Sequence, residues 1–253
     1  MQMQDQKKEI SLVRQHEVHH QSPFQNYFKE VIYGGIDGIV TTFVIVAGFS
    51  GATFANETTT QLSFLIVLLF GLANLFADAT SMGLGNFLSV KSNKDLYKVA
   101  RATEEGKIQN DFQYRFDESV AILIAKGYSD TDAQELVTLY AKNPLYWLDC
   151  MMVHELKMGD PRNDNPIFTG LATFSAFLVF GMIPLLPFIF FSSLHQNTVF
   201  LYSIFGTGFA LILLGLLKWR IVGSKLLPSL FEVLAVGGSA ATIAFVVGSF
   251  FRV

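Results

Sequence analysis

The sequence predicts an all-α integral membrane protein with five transmembrane helices and a small helical cytoplasmic domain between the second and third. Three observations carry that prediction. Of 253 residues, 51% are hydrophobic and 14% aromatic, while only 15% are charged, against about 25% in soluble domains. Five apolar stretches are each long enough to cross about 30 Å of hydrocarbon as a helix. Within those stretches only Asp37, Asp78 and Glu232 bring a charge.

The organisation follows from where the charges fall. Residues 1–30 form a cytoplasmic N-terminal segment with Lys7, Lys8, Arg14 and Lys29 balanced by acids. It lacks the apolar core of a secretory signal, so the N-terminus is expected in the cytosol. Its HEVHH run sets His16, His19 and His20 at helical spacing, which suits either a shared metal or a solvated tail. Residues 31–90 hold the first two spans. The first, residues 31–53, contains Asp37 about two turns in, with Thr41 one turn further on. Gly34, Gly35, Gly38, Gly48 and Gly51 leave it little bulk, so another helix can approach closely. For Asp37 the alternatives are a cap at the boundary and a place on an ion path.

The second span, from about Leu62 to Val90, is the most informative stretch. Its first turns, LSFLIVLLFGLA, are almost purely apolar. Then come Asn74, Asp78, Ser81, Met82 and Asn86, which fall on one stripe at 3.6 residues per turn. A carboxylate at that depth is expensive and should face protein or a water-filled interior. The helix is expected to continue beyond the membrane until Gly106, the first breaker.

Residues 91–166 make up the cytoplasmic helical domain, a candidate metal-binding domain with ten of the eighteen Lys and Arg residues. Helices are expected at Asp117–Ala125, Thr131–Ala141 and Pro144–Met158. Gly127 ends the first, Ser129 or Asp130 caps the second, and Asn143 before Pro144 starts the third. Residues 167–253 hold the last three spans: 167–191, ended or kinked near Pro184 and Pro187; 199–217; and about 230–251, rich in small residues. Glu232 falls where the fifth span meets the interface, beside Lys225. Five spans put the N-terminal segment, the polar domain and the Lys218–Lys225 loop on one side, and those segments carry seventeen of the eighteen Lys and Arg residues. The positive-inside rule makes that side the cytoplasm.

Composition also excludes classes. A net charge of −3 by itself says little about nucleic acid or acidic partners, and no nucleic-acid partner is expected. A single cysteine, Cys150, allows no intrachain disulfide. A metal-oxidising enzyme of the di-iron type would need Glu-x-x-His pairs on facing helices, and the sequence has none. No cofactor is called for. A membrane-anchored metal sensor or metal-binding protein without transport is the alternative, and the polar stripe through the second helix argues against a mere anchor.

Asp37, Asn74, Asp78 and Met82 offer hard oxygen, amide oxygen and thioether, a mixture that favours a transition ion over Mg²⁺ or Ca²⁺. Met82 fits packing as well as ligation. In the polar domain Met151 and Met152 lie four and three residues before Glu155, on a shared helix face, which fits either a ligand set or a buried methionine pair.

The stretches YGGIDGIVTTFVIVAGFSGA, GLANLFADATSMGLGNFLSVKS and WLDCMMVHEL, with the double-proline third span, resemble the vacuolar iron transporter family, in particular its bacterial members. The resemblance runs from about Val31 to Gly248. It implies a homodimer in the lipid bilayer with the ion path at the subunit interface. It further implies that Fe²⁺ or Mn²⁺ leaves the cytoplasm in exchange for protons, and that the polar helices collect divalent metal before delivery. Carried over residue by residue, Asp37 matches the family's first-helix aspartate and Met82 the methionine of its Ser-Met motif. Asn74 stands where plant-type members have glutamate, and Asp78 adds a carboxylate one turn later. Met151, Met152 and Glu155 match a Met-Met-x-x-Glu pattern, and Glu104 and Glu118 register with its further acids. Lys107 and Arg115 fall where acids are expected. For a bacterial member the resemblance implies the cell (inner) membrane.

Overall fold

The computed structural model describes residues 23–53, 61–161, 164–192, 194–223 and 225–250. All regular structure among them is helical: α1 (Pro23–Thr53), α2 (Gln61–Asn110), α3 (Phe112–Ala125), α4 (Asp130–Ala141), α5 (Pro144–His154), α6 (Pro166–Gly181), a 3-10 turn (Ile183–Leu185), α7 (Leu186–Phe190), α8 (Gln196–Val222) and α9 (Leu226–Phe250). Five segments are long and apolar enough to cross a membrane: Tyr27–Gly51, the stretch beginning at Phe64, Pro166–Phe190, Asn197–Val222 and Leu226–Phe250. The chain divides into two compact units, one of residues up to Asn86 together with Ile167 onward, the other Phe87–Pro166. The 50-residue helix α2 contributes to both.

In the first unit α1 is the central element. Phe43, Val46 and Ala47 of α1 pack with Phe64, Val67, Leu75 and Ala79 of α2, Phe177 of α6 and Phe200 of α8. Ile39 joins a second cluster with Leu211 and Leu214 of α8 and Val233 of α9. The glycines of α1 make this closeness possible. A Cβ on Gly38 would lie 2.5 Å from the Phe177 carbonyl oxygen, and one on Gly34 2.7 Å from that of Thr173, so α1 and α6 cross backbone on backbone. The outward faces remain apolar, with Leu65, Leu69, Phe70, Ile167, Phe205, Phe209 and Phe250 exposed. A lipid surround suits such a surface, because lipid-facing helices need no polar exterior.

The third span breaks where its prolines predict. α6 stops at Gly181, and Pro184 and Pro187 open the 3-10 turn and α7. The break frees a carbonyl, and the buried Ser203 hydroxyl donates to Pro184 O at 2.7 Å, which keeps it from being orphaned in an apolar setting.

The Phe87–Pro166 unit has its own core of Tyr97, Ile108, Val120, Val137, Trp147, Leu148, Met151 and Met152. Gly106 does not end α2, which runs on to Asn110; one glycine costs only about 1 kcal/mol relative to alanine, and Ile108 beyond it is buried. Gly127 takes φ +102 after α3, Ser129 accepts from Asp132 N–H at the start of α4, and Asn143 accepts from Tyr146 N–H ahead of Pro144. α5 ends at His154 rather than Met158. There Lys157 turns left-handed at φ 54, and the Met158 N–H bonds back to Met152 O at 2.9 Å.

Candidate functional site

The polar stripe of α2 folds as a one-sided row: Asn74, Asp78, Met82 and Asn86 are half-buried, while Ser81 is exposed. Asn74 Nδ2 donates to Asp78 Oδ2 at 2.6 Å, so the amide one turn before the carboxylate fixes its rotamer. With its nitrogen committed, Asn74 has an oxygen to offer a cation. At the far end of the row Asn86 Nδ2 donates to Thr173 Oγ1 of α6 at 2.8 Å. Met82 packs against the cluster that contains Phe43 and Phe177.

Asp37 is half-buried on α1, and its charge and that of Asp78 act on one another. The Thr41 hydroxyl is turned back to the Asp37 main-chain oxygen at 2.8 Å, so it supports the helix rather than the carboxylate. Asp37 opens onto a groove of about 600 Å³ also lined by Lys29, Tyr33, Ile36, Lys218 and Val236. Lys218 is itself ion-paired with Glu232 across α8 and α9, which makes Glu232 a locally paired carboxylate. The structure therefore brings Asp37, Asn74 and Asp78 into one neighbourhood. Among the described residues no group of three or more His, Cys, Asp or Glu is placed to hold a metal.

The acids of the other unit have a different environment. Glu104 of α2, Glu118 of α3 and Glu155 at the end of α5 all meet Arg115. Arg115 Nη2 lies 3.0 Å from Glu104 Oε2, and Nη1 donates to Glu155 Oε1 at 3.1 Å and to Glu118 Oε2. Lys107 Nζ donates to the other Glu104 oxygen at 2.7 Å. The side chains of Arg115 and Glu104 are 4% and 3% exposed. Burial opposes the Arg115 charge, but Glu104, Glu118 and Glu155 outweigh it and hold its pKa above the ordinary value. Burial, helped by the charge of Glu118, raises the Glu155 carboxyl despite Arg115. Arg115 Nε and Glu155 Oε2 are buried without a hydrogen-bond partner.

Met151 and Met152 are both buried in this unit's core. The Met151 sulfur accepts from Ser119 Oγ at 2.9 Å, and that hydroxyl accepts in turn from Trp147 Nε1 at 2.9 Å. Sequence reasoning passed over Ser119 and Thr173. For Thr173 the available signal was a hydroxyl inside an otherwise apolar stretch, LATFSAF. His16, His19 and His20 lie outside the described residues.

An all-helical chain with five membrane-length apolar segments, and with two acidic side chains set near one another inside them, defines a multi-pass membrane protein with a charged interior. The chain belongs to the VIT family, whose sequence profile matches residues 28–249. It is 36% identical to the vacuolar iron transporter of Toxoplasma gondii over 94% of this chain and 78% of that protein. It is 33% identical to vacuolar iron transporter 1 of Arabidopsis thaliana, over 86% and 83% of the two chains. With the vacuolar iron transporter of Plasmodium berghei the identity is 32%, over 90% and 84%. Each of these relatives is named for transport rather than catalysis.

Proposed function

We propose that this protein exports divalent transition metal, Fe²⁺ and after it Mn²⁺, from the cytoplasm in exchange for protons, and that it works as a homodimer. The observation that carries the reading is the neighbourhood of Asp37 and Asp78 inside two packed spans, with Asn74 orienting Asp78. The names of the relatives, which specify iron, supply the cargo. Carboxylates bind a cation only after losing their protons, so loading the site with metal releases protons, and the return step takes them up again. Asp37 and Asp78 are then both the ion ligands and the proton carriers, Asn74 adds a neutral oxygen, and Met82 adds a soft contact that favours a transition ion over Ca²⁺.

Dimerisation supplies what one chain lacks. Two carboxylates are few for a divalent ion, and beside them α2 leaves Ala73, Phe76, Ala77, Ser81 and Gly85 exposed. A second copy of α2 against that face completes the coordination and shields the stripe from lipid. The concentration of Lys and Arg in the N-terminal segment, the polar unit and the α8–α9 loop supports an orientation with those parts in the cytoplasm, in the inner membrane of a bacterial cell.

Proteoliposomes with an internal pH dye test this. Fe²⁺ or Mn²⁺ supplied to the cytoplasmic face should enter while the interior turns alkaline. Asp37→Asn and Asp78→Asn should each abolish both signals. Metal entry by Asp37→Asn at the wild-type rate, or no entry by the wild type, would overturn the proposal.

A further inference from the structure

Three carboxylates from three helices converge in the Phe87–Pro166 unit, and what they surround is a guanidinium. Glu104, Glu118 and Glu155 each contact Arg115, and the remaining Glu104 oxygen is held by Lys107. The family resemblance implies that these acids, with Met151 and Met152, collect metal. The donors present do not fit that task. A metal ion needs oxygens at about 2.0–2.6 Å from a shared centre, and here the shared centre is occupied by a covalently tethered cation that cannot be deprotonated. The sulfurs are not free to turn toward it, since Met151 accepts from Ser119 and Met152 is fully buried in the core. Among the described residues no group of three or more His, Cys, Asp or Glu is placed to hold a metal.

We infer that Arg115 serves this unit as a built-in cation in the position of a metal ion, so that the centre of the Glu104, Glu118 and Glu155 cluster is filled from within and binds no divalent metal. The planar guanidinium suits the role. Its two terminal nitrogens reach carboxylates of α2, α3 and the end of α5 at once, in fixed directions that a lysine could not offer. Arg115 thus ties three elements together in the way a structural ion would, and the unit keeps its fold without metal. Ions bound for the spans then reach Asp37 and Asp78 without first stopping at this cluster.

The inference is independent of whether the protein transports, and its test reads binding and stability only. Bound Mn²⁺ per chain is counted by electron paramagnetic resonance on the full chain in detergent, for wild type, Glu155→Gln, Arg115→Glu and the double variant. Wild type and Glu155→Gln should bind equal amounts. Arg115→Glu should gain one ion per chain, and the double variant should lose it again. In the same micelles Arg115→Gln, which keeps much of the side-chain length, should lower the thermal midpoint, and Mn²⁺ should raise that midpoint further than it raises the wild type's. Loss of one Mn²⁺ from wild type on Glu155→Gln would overturn the inference. So would an Arg115→Gln protein with wild-type midpoint and wild-type response to Mn²⁺.

Discussion

Replacing Gly38 by alanine tests the backbone-on-backbone crossing of α1 and α6 in the membrane unit. The new methyl would sit 2.5 Å from the Phe177 carbonyl oxygen, 3.0 Å from its Cα and 3.1 Å from its carbonyl carbon. All three atoms are backbone, so no rotamer change relieves the contact. α1 and α6 must separate by roughly an ångström along the crossing, which loosens the packing around Phe177 and Ile39, both fully buried. Overpacking of this kind costs about 1–3 kcal/mol. At about 2–4 °C per kcal/mol for a chain of this size, the thermal midpoint in detergent should fall by roughly 2–12 °C. Gly48→Ala is the matched control on the same helix, because its methyl would meet nothing nearer than the Ala244 oxygen at 3.6 Å, an ordinary contact. Tryptophan fluorescence during a thermal ramp reads both variants. A midpoint for Gly38→Ala equal to that of Gly48→Ala would refute the claim that backbone contact between α1 and α6 sets their spacing.

Asn74→Ala removes the amide that donates to Asp78 and should slow metal uptake in proteoliposomes about tenfold or more, while Asn74→Asp, which keeps an oxygen at that position but loses the N–H donor, should fall between that variant and wild type. Ser129→Ala deletes the side-chain acceptor at the start of α4 and should destabilise the polar unit by about 1 kcal/mol, visible as faster amide exchange in α4. The Cys150 thiol is pushed up by burial, aided by Asp149, against the hydrogen bond to Tyr146. Since the thiolate is the nucleophile, maleimide labelling of the full chain near pH 7 should be slower than that of a free cysteine and should accelerate as pH rises. Lys218→Ala breaks a half-exposed ion pair with Glu232, so its effect on the thermal midpoint should correspond to no more than about 1 kcal/mol.

The five spans were legible because lipid demands unbroken apolarity, and that demand is written locally. Their ends were less so. The fourth span reads as stopping at residue 217, where Lys218, Trp219 and Arg220 begin, yet α8 continues to Val222 and stops at Gly223 with φ +70. Long cationic and aromatic side chains at a helix end keep the helix while ending the hydropathy, so charge marked the interface and glycine marked the structure. Caps at Ser129 and Asn143 were readable for the same local reason. The spacing of Asn74 and Asp78 gave their shared face, and their hydrogen bond follows from it. What the sequence could not give was the full set of partners: Arg115 and Glu118 are three apart on α3, but Glu104 and Glu155 are brought to them only by the packing of Val120, Val137 and Trp147.

The same residue type serves two ends in this chain, and counter-charge decides which. Near Asp37 and Asp78 no lysine or arginine is paired with either carboxylate among the described residues, and the nearby Lys218 is already engaged by Glu232. A pair of carboxylates left without an internal cation inside an apolar bundle has two ways to become neutral, a proton or a metal ion. That choice is the physical requirement for exchanging one against the other. Around Glu104, Glu118 and Glu155 the central position is already taken, since Arg115 supplies a charge that neither titrates nor dissociates. On that inference, a cluster so filled holds elements together and has no ion of its own to exchange. On the proposed reading, the exchangeable site and the structural one differ less in their acids than in whether the chain places its own cation among them, and the pair within the spans is the one left open to a cation from outside.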